Sequence, residues 1–430
     1  MRLLIILLGL MLFVSCEETS PIQPDIEIED LNASDDQPIE LDEFVKVYDK
    51  DLIETDSYVF VIENGGKRVF IINKQGNILH EWSFEKSLGN DIELEENGQL
   101  LGLFKPESTS FSFGGFGGIA QIINPDNSVA WSYEINNANQ LAHHDVERMP
   151  NGNVMIMVWE RMTKDVANQK GIETEVDIYS ESLFEVDPNT NEVVWTWRSA
   201  DHIIQDRMET AANYGTISEN PGKIDFNYNL MDNGDIMHAN GIDYDPEHDL
   251  IYMSVNFFSE VWVIDHSTTS DEAATDAGGN YGIGGDLVYR FGNPNVFQGE
   301  EERFFYKNHF PNLIEGSQYP GQGNILVYMN GFNVEQSTVF EIELPVSDYP
   351  TYVNPNIKWS FTNPTMYYDK LSGSDRMRNG NTLITEGDYG IWEVTRNREI
   401  AWKYESYGPA FWRSYVLYSD QPGVQSLNLE

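Results

Sequence analysis

Three histidines, His144, His238 and His309, stand in the same slot of successive segments of this 430-residue chain, each in the lead into an apolar strand. Imidazole is uncharged near neutral pH and can attack, donate a proton or ligate a metal. If the three converge, two chemistries are open. As neutral rings they bind a divalent metal; alternatively, one acts as a nucleophile while the others donate to an anionic or tetrahedral group. Histidine metal sites usually add a carboxylate, and Asp145 is the only one directly adjacent. The nucleophile is therefore preferred, and no metal or other cofactor is expected. A lone histidine in a β protein is more often a hydrogen-bonded structural residue. Recurrence in one slot shifts the reading toward a shared site, because the corresponding leads elsewhere carry Asp91 and Ser374.

Residues this far apart meet only if the segments carrying them surround a common axis. From Tyr58 onward an alternating strand, a turn rich in Asn, Asp or Gly, and a second strand ending in a large aromatic recur six times, closing at Trp82, Trp131, Trp195, Phe291, Trp359 and Trp402. Period-2 alternation with such turns is the signature of β-hairpins. A second motif, a polar lead, Asn-Gly and another apolar strand, follows most of these hairpins, with copies at Asn97-Gly98, Asn151-Gly152-Asn153 and Asn379-Gly380-Asn381. Four-stranded units repeated along a chain predict propeller blades. The expected fold is all-β, a six-bladed β-propeller, with two stacked sandwiches as the competing architecture. Little chain follows Trp402, whereas Tyr58–Ile62 stands alone at the front. This N-terminal strand is expected to pair into the last blade and close the ring.

Three regions are expected: residues 1–15, a lipoprotein signal peptide; 16–56, a tether; and 57–430, the propeller. Arg2, the apolar run Leu3–Val14 and the small residue before Cys16 read as a secretory signal ending in a lipidated cysteine. The apolar run is too short to span a bilayer. Residues 17–56 hold fifteen acidic residues and two lysines, a composition that favours a flexible segment. Cys16 is the only cysteine, so no internal disulfide can form. The expected location is the bacterial cell envelope, on the periplasmic face or the cell surface, with membrane attachment only through that lipid. A formal net charge of -44 argues against nucleic-acid partners. With 40% hydrophobic and 13% aromatic residues, the chain can build a large core.

The segment Leu141-Ala142-His143-His144-Asp145 with Met149–Asn153, the run Met237–Asp245 continuing into Glu260–Thr269, Asn308-His309, and the runs Gly323–Gly331 and Arg378–Gly387 together resemble the bacterial arylsulfate sulfotransferases that need no nucleotide donor. The resemblance spans residues 58–415 and implies a six-bladed propeller with its site at the central channel. It also implies a ping-pong reaction, in which a histidine takes the sulfuryl group from an aryl sulfate and passes it to a phenol. Carried over by motif, His309 is the nucleophile, and His144, His238 and Asn240 contact sulfuryl or phenol oxygens. Two departures stand out. Asn256 occupies the position where the family carries an arginine, leaving Arg376 and Arg413 to supply substrate contacts from other blades. The nucleophile's run reads Lys307-Asn308-His309-Phe310-Pro311 in place of the family's Gln-His-Asp. A propeller that binds without catalysing, or a metal-dependent hydrolase, are the alternatives.

Overall fold

The alternating segments fold as strands because their apolar residues face neighbouring sheets while turn residues sit between them. The computed structural model describes residues 39–387, 390–408 and 410–429. It contains six antiparallel sheets, five of four strands and one of five. In chain order the first strands of blades two to six are Leu88–Leu94, Gln140–Arg148, Ala239–Asp245, Asn308–Leu313 and Gly373–Arg376. These strands touch one another across blades and line the axis, so the fold is a six-bladed propeller. Residues 41–430 form one compact unit. The expected signal over 1–15, lipidated Cys16 and the tether as far as residue 38 lie outside the described residues.

Closure of the ring differs from the expectation. The strand Ser57–Glu63 does not complete the last blade. It pairs with the C-terminal strand Phe411–Tyr418 on one side and Arg68–Ile72 on the other. The C-terminal strand thus becomes the innermost strand of the first blade. The last blade already has four strands of its own, and Val45–Tyr48 joins it as a fifth by pairing with Ile400–Glu405. Folded structure therefore begins ahead of residue 57. Phe44, Val45, Tyr48, Leu52 and Ile53 pack into a core cluster containing Trp402 and Tyr404, where their burial offsets the acidic composition around them.

Both sequence motifs have a structural cause. Asn153 donates to Glu185 at 2.6 Å, Asn324 to Glu341 at 2.7 Å and Asn381 to Glu393 at 2.7 Å, so in these three hairpins the asparagine after the turn glycine is tied to the third strand of its own blade. The tryptophan of the fourth strand reaches the following blade. Trp131 donates to Asn191, Trp195 to Thr268, Trp359 to the carbonyl of Arg396, and Trp402 to the carbonyl of Lys74. The last of these bonds joins the sixth blade to the first.

Five innermost strands carry a register shift at the same level. The shifts lie between Leu88 and Ile92, Ala142 and Val146, Ala239 and Gly241, His309 and Pro311, and opposite Val61–Glu63 on the closing strand. A bulge bends a strand and re-aims the extra side chain. The three histidines stand near this irregularity but not at one position in it: His144 lies inside a shift, His309 is the paired residue before the extra Phe310, and His238 precedes the strand whose extra residue is Asn240. Backbone φ is positive at Asn90, His144 and Phe310 beside this irregularity.

Candidate functional site

His144, His238 and His309 gather at one end of the channel. The rings of His144 and His238 meet edge to face at 4.8 Å between centroids. Trp412, from the closing strand, lies 5.8 Å from the ring of His144 and 6.1 Å from that of His309. The loop between the second and third strands of blade two covers the group. A Cβ on Gly115, whose φ is +79°, would fall 1.9 Å from His144 Nε2, so only glycine fits there.

His309 is 5% exposed, and its burial pushes the imidazole down to about 3. The ring is therefore neutral across ordinary pH. Its Nδ1 lies 2.6 Å from Oδ1 of Asn330, and the Asn330 amide is oriented by donating to the carbonyls of Tyr368 and Leu371. With Oδ1 as the facing atom, His309 carries its proton on Nδ1 and keeps a lone pair on Nε2. Burial, and after it the neighbouring His238 ring, hold His144 well below its ordinary value. His238 Nδ1 meets Asp235 at 2.5 Å, and its ring stacks on Phe257 at 4.7 Å.

The other expected contacts are disposed differently. Asn240 and Asn256 both turn their amide nitrogens onto the carbonyl of Asn308, at 2.9 and 3.1 Å, behind the histidine. Asn256 Nδ2 is 3.5 Å from His309 Nδ1, the nitrogen facing away from the lone pair. Arg413 lies on the axis beneath the histidines. Its guanidinium sits 2.9 Å from Asp145 and 3.3 Å from Asp91, and it donates to the carbonyl of Asn240 at 2.9 Å. Both aspartates are buried, so its charge is already answered. A Cβ on Gly241 would stand 2.6 Å from the guanidinium, which explains the glycine there. Arg376 is turned into a blade interface, donating to Glu341 and to the carbonyl of Gly380, both at 2.6 Å. The structure thus brings the three histidines together, and it leaves neither arginine free to clamp an anion.

Several residues in this group escaped the sequence reading. His143 is wholly buried, stacked on Trp159 at 3.9 Å, with its Nδ1 2.9 Å from Nδ1 of His144. Lys307 holds its ammonium 5.1 Å from the Phe257 ring and 4.1 Å from the Phe332 ring. Burial pushes that ammonium down, and its charge lowers His309 further. Lys307 was visible as a cation two residues before His309, whereas Asn330, Asp235 and Glu181 sit on strands or loops outside the repeated slot. Among the described residues, no group of His, Cys, Asp and Glu is arranged to hold a metal ion.

Beyond Arg413 the channel opens into a cavity of about 510 Å³ whose walls include Glu93, Glu147, Asp243 and Asp375. Burial pushes these carboxyls up, Asp375 to about 6, and repulsion from neighbouring carboxylates adds to it for Glu147, Asp243 and Glu93, the last reaching about 7.

The arylsulfotransferase (ASST) family model matches residues 45–352, which include all three histidines but end before the last blade and the closing strand. The crystal structure of a protein of unknown function from Bacteroides caccae superposes with a TM-score of 0.48 at 11% identity, covering 84% of this chain and 99% of its own. No curated protein matches the chain.

Proposed function

The chain belongs to the arylsulfotransferase family, and from that membership we propose that it moves a sulfuryl group from an aryl sulfate to a phenol through a sulfohistidine on His309. One observation carries this reading: His309 is neutral, with Nδ1 engaged by Asn330 and the lone pair of Nε2 left for attack. In the first half, Nε2 bonds to sulfur and the sulfur–oxygen bond to the aryl group breaks, releasing a phenolate. In the second, the oxygen of an acceptor phenol bonds to sulfur and the N–S bond breaks. The Asn330 carbonyl accepts a hydrogen bond from Nδ1–H throughout, and so accommodates the positive charge that develops on the ring. In this reading His144 and His238 meet the sulfuryl and phenol oxygens. On the sequence reading, the enzyme works at the cell envelope, held by a lipid on Cys16.

Purified protein is expected to release 4-nitrophenolate from 4-nitrophenyl sulfate in the presence of phenol. Without the acceptor, its mass should rise by one SO₃ group. His309→Ala should abolish both, with a loss of ~10³-fold or more. Absence of turnover and of the mass shift across a panel of aryl sulfates would overturn the proposal and leave a propeller that only binds.

A further inference from the structure

His143 and Glu181 contribute no direct contact to the proposed sulfuryl transfer, yet they are the most deeply buried titratable groups beside it, each 0% exposed. Glu181 lies on the third strand of blade three. Its Oε1 accepts the backbone N–H of Ala239, the residue after His238, at 2.8 Å. Its Oε2 lies 2.9 Å from His143 Nε2, close but not aligned as a hydrogen bond in this resting geometry. Catalytic hydrogen bonds commonly align only when substrate is bound. The stack on Trp159, at 4° between planes, fixes the plane of the His143 ring. Its Nδ1 faces Nδ1 of His144, and two such nitrogens can share only one proton between neutral rings. The tautomer of His144 is therefore set by whichever nitrogen of His143 is protonated, and that in turn by Glu181.

We propose that Glu181 and His143 form a proton relay through His144, which gives a proton to the phenolate leaving in the first half of the transfer and recovers one from the acceptor phenol in the second. The relay rests on the sulfotransferase reading above. It starts with Glu181 protonated and Nε2–H on His144. As the sulfur–oxygen bond breaks, the His144 Nε2 proton passes to the phenolate oxygen. The His143 Nδ1 proton moves to His144 Nδ1, and the Glu181 proton moves to His143 Nε2. Glu181 is left ionised and both rings are left neutral. The acceptor phenol then returns its proton along the same path, so the cycle needs no proton from water. Neutral rings suit the site, because burial disfavours the imidazolium of both His143 and His144. Burial also raises Glu181 to about 8, so acid and carboxylate are both accessible near neutrality. Asp235 and His238 are the other ionisable groups facing it, the first raising it and the second lowering it.

The test compares wild type with Glu181→Gln, which keeps the acceptor for Ala239 but cannot pass a proton. It measures kcat/KM for aryl sulfates whose phenols range from good to poor leaving groups. Protonation matters most for poor leaving groups. The variant should lose ~10²-fold or more with phenyl sulfate and only a few-fold with 4-nitrophenyl sulfate. An equal loss with every donor, as a purely structural defect gives, would overturn the relay. A second readout needs no turnover. In ¹⁵N-histidine spectra of the wild type, His144 should exchange its Nε2–H tautomer for Nδ1–H as pH rises through about 8. A tautomer that does not change would overturn the relay even if sulfuryl transfer is found. Loss of all turnover with the tautomer change intact would count against the sulfotransferase reading alone.

Discussion

At the scale of single residues, the site depends on which nitrogen of each imidazole holds the proton. For His309 that choice belongs to Asn330, whose own amide is fixed by two backbone carbonyls. The arrangement predicts different outcomes for two substitutions. Asn330→Ala removes the acceptor, letting the proton occupy either nitrogen, and should lower the rate of sulfohistidine formation by ~10-fold or more. Asn330→Asp places a carboxylate against the Nδ1 proton, which favours the imidazolium. In the wild type His309 stays neutral until pH falls to about 3, so its protonation contributes no acid limb at ordinary pH. In Asn330→Asp the ring's pKa rises, and kcat/KM should fall on the acid side at a pH well above 3. An unchanged acid side in that variant would show that Asn330 does not control the ring.

At the scale of elements, the inter-blade tryptophans make a stability prediction. Trp402 is completely buried and donates to the carbonyl of Lys74, tying the sixth blade to the first. Replacing it by phenylalanine leaves that carbonyl unpaired and a gap where the indole packed. The expected cost is about 2–4 kcal/mol, read as a lower denaturant midpoint. The tryptophans, the Asn-Gly turns and the count of six hairpins were legible in the sequence because each copy carries its own local pattern. Closure was not, since nothing near Tyr58–Ile62 specifies whether its partner comes from the last blade or from Phe411–Tyr418, more than 340 positions away. Val45–Tyr48 was hidden by the acidic residues around it, although Val45 and Val47 already alternate with Lys46 and Tyr48. The histidines were legible as a recurring slot. The register shifts beside them, and their partners Asn330, Asp235 and Glu181, were not, because a register shift has no fixed composition and the partners stand outside the repeated slot.

For the whole molecule, the -44 net charge is not spread evenly along the channel. One end holds three histidines and Lys307. The other opens into the cavity lined by Glu93, Glu147, Asp243 and Asp375, with Arg413 and its two aspartates between them. A sulfate ester approaching the cavity meets acidic side chains that become anionic as pH rises, so the field favours entry of anions at the histidine end. The same crowding carries a cost in stability whose sign can be worked out. Glu93 is raised in the fold from its ordinary value of 4.5 to about 7. Its contribution is favourable while it is protonated in both states, and it is lost as pH climbs from about 4.5 through about 7, because the unfolded chain ionises first. Glu93→Gln removes the group that must ionise at a cost. The variant should therefore be more stable than wild type at pH 8, by on the order of 1 kcal/mol once partial solvent access to the open cavity is allowed for. At pH 4 the two proteins should differ little. Histidine titrations contribute equally to both and cancel in the difference, so thermal midpoints of the pair across pH 4–8 isolate the carboxylate. A variant less stable than wild type at pH 8 would mean that the Glu93 carboxylate is held by its neighbours, not repelled by them.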